Sequence, residues 1–236
     1  LGQHNTQYFR CGYGILTKGF VKIAYAKQQQ SIRILGLNGI VLLHERSFTF
    51  IFFFCFQFNK MKKLKLDELG RTSVTDFKKL KKTPLIIILE NIRSALNTGS
   101  VFRTCDAYAV EELILTGFTA QPPHKDILKT ALGATQSVNW SYVQQISDVI
   151  CNLKQQNYKV YAAEQTDSGI LLPEFMPQPD EKIALIFGNE VNGVEDDTLK
   201  LCDGALELPQ FGTKHSLNVS VCAGIFIYDI SLKLRP

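Results

Sequence analysis

Leu85-Ile86-Ile87-Ile88-Leu89, followed at once by Glu90-Asn91, is too short for a buried helix and too continuous for a strand with one wet face. Such a run marks a strand buried on both sides, the pattern of parallel sheets. Working outward, Leu113–Thr116, Lys159–Ala163, Ile183–Phe187 and Ala205–Leu208 repeat it, and Val138–Tyr142 reads as a further short strand. Helical spacing fills the intervals: about 97–109, a turn near Ile127–Ala131, Ile146–Gln156, 195–202, and a final helix from about Ser216 to Leu232. Strands alternating with helices predict an α/β fold with a parallel sheet flanked by helices and right-handed crossovers. Upstream, residues 62–82 form a Lys-rich amphipathic arm carrying Leu64, Leu66, Leu69, Phe77 and Leu80, which Pro84 ends. Pro173, Pro177 and Pro179 mark a loop.

The 236 residues carry a formal charge of +4, but unevenly. Residues 1–60 hold seven Lys/Arg and one acid, Glu45; residues 61–236 hold 19 basic and 21 acidic side chains, a net −2. The positive excess therefore sits outside the α/β pattern. The same first quarter contains Phe-Thr-Phe-Ile-Phe-Phe-Phe-Cys-Phe-Gln-Phe at 48–58. A membrane span needs roughly 20 apolar residues, and His44, Glu45 and Arg46 interrupt this run upstream. A signal peptide wants a small-residue cleavage site nearer its start. The reading adopted is that Met61-Lys62-Lys63-Leu64 is a natural cytosolic start and that residues 1–60 are upstream sequence, disordered or not naturally present. The alternative is a real basic extension, membrane-associated or RNA-binding.

Six cysteines occur without a C-x-x-C pair or a histidine at zinc-finger spacing. Four of them, Cys105, Cys151, Cys202 and Cys222, lie in apolar contexts and read as small buried hydrophobes. A disulfide scaffold does not suit a chain of this length, so a cytoplasmic setting is expected, with no metal site and no membrane anchor.

Ligands of open α/β sheets bind beyond the carboxyl ends of the strands, so the residues after each strand are the candidates. The first segment contains Asn97-Thr98-Gly99-Ser100-Val101-Phe102-Arg103; by itself it could be a helix capped at Asn97, with Arg103 paired to Asp106. The second is Phe187-Gly188-Asn189-Glu190-Val191-Asn192-Gly193, running into Glu195, Asp196 and Asp197. Those carboxylates suit a helix N-terminus and repel phosphate. With no Gly-rich phosphate loop elsewhere, NAD and ATP lose support, and a ligand that is neutral or cationic at its reacting end fits better. The third runs from Leu208-Pro209 to Ser216-Leu217-Asn218-Val219-Ser220. Ser216 alone could be an N-cap. Ser216, Asn218 and Ser220 alternate through a stretch expected to be buried, where unpartnered polar groups are costly. A Ser–His hydrolase is disfavoured, because His215 and Ser216 would point apart on a helix and no nucleophile elbow occurs.

Three such segments, in this order and at strand ends, resemble the signature motifs of the SpoU family of RNA ribose 2′-O-methyltransferases, in the SPOUT superfamily. The resemblance covers about Leu85–Leu232. It implies an α/β fold with a C-terminal deep trefoil knot, an exception to the rule against knots, and a homodimer with each site near the subunit boundary. The implied domain plan is a non-family extension at 1–60, an arm at 61–84 and a methyltransferase domain at 85–236. The implied cofactor is S-adenosylmethionine (AdoMet), held at Gly188, Leu208 and Leu217 and flanked by Ala163 and Glu164, with glycine at 188 leaving the backbone open to the ligand. The implied catalytic set is Arg103, Asn97, Glu190, Ser216 and Asn218. Arg103 is either the base that takes the 2′-OH proton or, since arginine keeps its proton in proteins, a bidentate clamp on the neighbouring phosphate. RNA needs local positive charge, for which Lys62, Lys63, Lys78, Lys79, Lys81, Lys82 and Lys214 are candidates, with Lys65, Lys125 and Lys129 behind them. The substrate expected is tRNA rather than rRNA. The rival readings are a knotted dimer that holds RNA without catalysis and, disfavoured by Ser216-Leu217-Asn218, a base methyltransferase.

Overall fold

The computed structural model describes residues 61–70 and 72–235, together with the backbone of 23–25, 40–45 and 48–53. Apart from these three backbone segments, residues 1–60, on which the expectations of disorder or of a start at Met61 bear, lie outside the described residues. The chain divides into two units, Leu1–Leu69 and Gly70–Pro236. In the first, Ile23–Tyr25 (β1), Ile40–Glu45 (β2) and Phe48–Phe53 (β3) make an antiparallel sheet in the order β1-β3-β2, and Leu66–Leu69 is a short 3-10 turn.

The second unit begins with α1 (Val74–Lys79), capped by Ser73, whose hydroxyl accepts from Asp76 N–H at 3.1 Å. None of its residues is fully buried, Phe77 alone being partly covered. Its seven-stranded sheet contains β4 (Thr83–Glu90), β5 (Val110–Thr116), β6 (Trp140–Val143), β7 (Tyr158–Ala163), β8 (Ile170–Leu171), β9 (Lys182–Phe187) and β10 (Gly204–Glu207). The order is β6-β5-β4-β9-β7-β10-β8, and every pairing is parallel. Pro84 does not precede β4 but sits inside it. The register slips between Thr83 and Ile86, and a proline with no N–H to donate is accommodated at such an irregularity. The short strand β8 was not legible, because its two residues give no periodicity.

β4 is buried on both faces, as its sequence requires. Leu85, Ile87 and Leu89 face a core shared with Phe102 of α2 (Ala95–Ala107) and Phe226, Ile227 and Ile230 of α7 (Val219–Leu234). Ile86 and Ile88 face the opposite core, with Val149, Ile150 and Leu153 of α5 (Ile146–Gln155). The connection after β5 folds as α3 (Lys125–Ala131) and α4 (Ala134–Ser137), and α6 (Asp196–Leu199) is a single turn where a longer helix was expected. Phe187, at the end of β9, meets Phe226 of α7 edge-to-face with centroids 5.6 Å apart. This contact fixes α7 against the strand that leads into the second motif.

Candidate active site

Parallel pairing sends the segments after β4, β7, β9 and β10 to one edge of the sheet. The loop after β9 is a closed ring. Asn189 and Gly193 exchange backbone hydrogen bonds of 2.8 and 2.9 Å, Gly193 has φ +72°, and Asn189 Oδ1 accepts from Val191 and Asn192 N–H at 2.8 and 3.3 Å. Asn189 Nδ2 donates to Asn91 O at 2.8 Å, which docks the ring on the segment after β4. A Cβ on Gly188 would overlap the backbone of Gly193 and Val194. Glycine is thus required at 188 by the loop's own closure.

Glu190 projects from this ring onto the N-terminus of α2. Its carboxylate accepts from Arg93 N–H at 3.0 Å, Ser94 N–H at 3.1 Å and Asn97 Nδ2 at 3.3 Å. Burial pushes the Glu190 carboxyl up, but the backbone donors of Arg93, Glu190 itself and Ser94, with the Asn97 amide, outweigh it and hold it below the usual range. An ionised carboxylate at a helix N-terminus is also favoured by the helix dipole. Asn97 is therefore not the cap of α2. Ser94 is, accepting from Asn97 N–H at 3.3 Å, which leaves the Asn97 amide free to bridge. Asn97 Oδ1 accepts from Asn218 Nδ2 at 3.2 Å.

Asn218 caps α7, its Oδ1 accepting from Ser220 N–H at 2.9 Å and Ser220 Oγ at 2.6 Å. The helix begins at Val219, so Ser216 is not its cap and belongs to the preceding loop. Residues 211–218 are exposed, contrary to the expected burial of Ser216 and Asn218; the loop lies beyond the sheet edge, past the last packed strand residue. Leu217 is 44% exposed, while Leu208 and Ala163 are partly covered. Among the described residues no N–H of 210–217 donates to another group of the chain.

Three motifs thus meet in one line of hydrogen bonds, Glu190–Asn97–Asn218. Arg103 does not join it. Six residues along α2 place it about 9 Å on and about 240° around from Asn97, exposed in a groove with Ser100, Thr104, Lys129 and Thr130. Its suggested partner Asp106 accepts from Ser137 Oγ instead. Glu164 Oε2 accepts from Val194 N–H at 3.0 Å. Glu90, not singled out from the sequence, is buried and accepts from Thr198 Oγ1 at 2.6 Å and Glu195 N–H at 3.3 Å. The signal for it was its place at the end of β4. Burial pushes the Cys222 thiol of α7 up to about 11, which removes it as a nucleophile at neutral pH.

Of the lysines, Lys78, Lys79, Lys81 and Lys214 are exposed. Lys82 donates to Phe77 O at 2.7 Å with its ammonium 3.2 Å from the Phe77 ring centroid, and burial lowers its pKa. In the other unit Lys63 is exposed and Lys62 pairs with Glu68 at 2.8 Å. No described helix is long and apolar enough to cross a membrane.

Residues 84–228 match the SpoU rRNA Methylase family. An uncharacterized tRNA/rRNA methyltransferase of Borreliella burgdorferi is 30% identical over 179 residues, covering 73% of this chain and 77% of its own length. The tRNA (guanosine(18)-2'-O)-methyltransferase of Thermus thermophilus is 28% identical, covering 69% of this chain and 81% of its own. The chain spans between 56% and 81% of the length of the first curated relatives it matches. In fold, the SpoU methyltransferase AviRb of Streptomyces viridochromogenes, crystallised with AdoMet, superposes with a TM-score of 0.59 at 19% identity, covering 79% of this chain and 68% of its own. With its three motifs at one edge of a parallel sheet and the family match running through all of them, the chain belongs to the SpoU rRNA methylase family of RNA methyltransferases.

Proposed function

We propose that this chain transfers the methyl group of AdoMet to a ribose 2′-OH of RNA, with tRNA favoured over rRNA. The line Glu190–Asn97–Asn218 carries the reading, because it draws one polar side chain from each motif to a single exposed point. The surrounding residues suit the cofactor. Leu208, Leu217 and Ala163 offer partly exposed apolar surface for an adenine, the N–H groups of 210–217 are available as donors, and Glu164 and Glu190 favour a cationic sulfonium. When bound, AdoMet supplies an electrophilic methyl carbon, whose bond to sulfur breaks as the bond to oxygen forms.

The chain's own residues bind and align. Glu190 is held ionised, with both oxygens turned to N–H donors, so it orients Asn97 rather than taking the hydroxyl proton, which passes to water at the exposed mouth. Ser216 and Asn218 flank the ribose. Arg103 acts as the phosphate clamp, its planar fork suiting a phosphodiester, and near-attack alignment supplies much of the rate. Because Arg103 faces away from Asn97 within one chain, a homodimer is needed to bring an Arg103 to each cofactor. Val221, Ile225, Tyr228 and Leu232, exposed at helical spacing along α7, form an apolar stripe suited to that contact. The proposal includes a trefoil knot through which α7 passes, the domain plan 1–60, 61–84 and 85–236, RNA contacts at the arm lysines and Lys214, and a cytoplasmic setting in keeping with the free thiols. Support for tRNA comes from the similarity to the tRNA (guanosine(18)-2'-O)-methyltransferase of Thermus thermophilus, 81% of whose length the match covers.

The test is incubation of the purified chain with AdoMet and either tRNA or rRNA transcripts, followed by mass spectrometry of the nucleosides. A 2′-O-methyl nucleoside from tRNA is expected. RNA binding without methyl transfer would replace this reading with a non-catalytic RNA-binding dimer.

A further inference from the structure

The loops carrying the second and third motifs follow β9 and β10. The strand between these two in the sheet is β7, and the residues just beyond its end reach both loops. Glu164 N–H donates to Leu206 O at 3.2 Å, extending the sheet ladder one residue past the strand. Its carboxylate Oε2 then accepts from Val194 N–H at 3.0 Å, on the second-motif side, where a Cβ on Gly193 would overlap it. Gln165 turns the other way and its Nε2 donates to His215 O at 3.0 Å, on the third-motif side. Gln210 Nε2 donates to the same carbonyl at 3.3 Å. Glu164 Oε1 accepts from Gln165 N–H at 2.9 Å, which stiffens the pair.

We infer that Glu164 and Gln165 are a positioning bracket that sets the distance between the two loops and so the width of the cofactor site. Gln165 is the new element, a positioning residue that acts through His215 O on Ser216 and Leu217. The inference rests on the AdoMet reading of these loops.

The physical case is one of ordering. Among the described residues the third-motif loop makes no backbone bonds of its own between 210 and 217; its described side-chain tethers are the two glutamines at one carbonyl. Gln165 is exposed, so its hydrogen bond adds little to global stability. Without it the loop must be ordered when the cofactor binds, and that cost appears as lost affinity.

The test compares the full chain with Gln165→Leu, which keeps the size and loses the donor, and Gln165→Lys, which restores a donor of similar reach. AdoMet affinity is read by calorimetry, loop order by hydrogen exchange over residues 209–218, and integrity by thermal melting. Gln165→Leu is expected to weaken AdoMet binding by roughly 5-fold or more, about 1 kcal/mol, and to speed exchange in the loop at an unchanged melting temperature, with Gln165→Lys recovering both. Affinity within twofold of wild type, or unchanged exchange, overturns the bracket. If the wild-type chain itself fails to bind AdoMet, the function reading fails, and the exchange comparison alone then decides the bracket.

Discussion

Asn218, the cap of α7, donates from its side-chain amide to Oδ1 of Asn97 in the first turn of α2 across 3.2 Å and 121 positions of sequence. Asn97 passes the connection to Glu190 at 3.3 Å. Residues acting as one unit lose function non-additively. Asn97→Ala and Asn218→Ala are each expected to lower kcat/KM about 10-fold or more, near 1.4 kcal/mol, and the double variant by less than the product. Steady-state methylation of RNA by the four proteins checks this; a fully multiplicative loss would mean that the two amides act separately.

Arg103 distinguishes charge from geometry. A lysine keeps the charge but cannot grip a phosphate with two parallel N–H bonds. Arg103→Lys is expected to retain AdoMet binding and to lose methyl transfer by about 10-fold or more. A nearly wild-type rate would remove Arg103 both as base and as bidentate clamp.

Gly99 sets two effects against each other. Alanine is the better helix former by about 1 kcal/mol. Yet a Cβ at this point of α2 would overlap the Ile127 carbonyl oxygen and lie 2.9 Å from its Cα, in the backbone of α3, where nothing can swing aside. Thr130 Oγ1, which donates to Leu96 O at 2.9 Å across the same crossing, would be displaced as well. Overpacking should win, so Gly99→Ala is expected to destabilise by about 1–3 kcal/mol in chemical denaturation. A gain in stability would show that the two helices separate at little cost.

Burial raises the pKa of Glu90 above its ordinary 4.5, the Thr198 hydroxyl and Glu195 N–H oppose this, and the Glu195 carboxylate adds to it. The native state therefore keeps this proton to higher pH than the unfolded chain does. The group's contribution to stability falls as pH rises from the ordinary value through the raised native value. Glu90→Gln is neutral throughout. Urea unfolding of both proteins at stepped pH should show the variant gaining on wild type from about pH 4.5 upward and then levelling. A difference independent of pH would contradict the raised pKa.

A charge placed in the α7 stripe tests the dimer. Ile225 is 37% and Tyr228 51% exposed, so Ile225→Arg or Tyr228→Arg should leave each chain folded while burying an unpaired charge at a contact between copies. Light scattering is expected to report a dimer for wild type and a monomer for either variant. A monomeric wild type would remove the stripe as a subunit contact.

The sheet was legible because burial on both faces leaves its mark in β4 and β9 as unbroken aliphatic runs, whatever the loops do. The site was legible as a set of motifs but not as a geometry. Sequence suggested Asn97 as a cap and Ser216 as the start of α7. The structure gives the caps to Ser94 and Asn218. At Asn97 and Asn218 a local preference competed with a partner from another motif, and such partners cannot be read from spacing. Glu90 and Gln165 were missed for the same reason, since their bonds reach residues 105 and 50 positions away. The exposed lysines need no partner, so little in their sequence separates a binding face from a solvated one.

Arg235 Nε donates to the Thr83 hydroxyl at 2.8 Å, and the same hydroxyl donates to Tyr108 O at 2.9 Å. The start of β4 and the residue just past α7 are therefore neighbours, with the whole sheet strung between them. A chain still growing on the ribosome holds Asn97 and Glu190 early, but neither has its third partner until residue 218 has emerged, nor its buttress until α7 has closed against β4. Cofactor capture would thus wait for α7 to emerge and pack, and a chain cut short before α7 would be unable to use AdoMet.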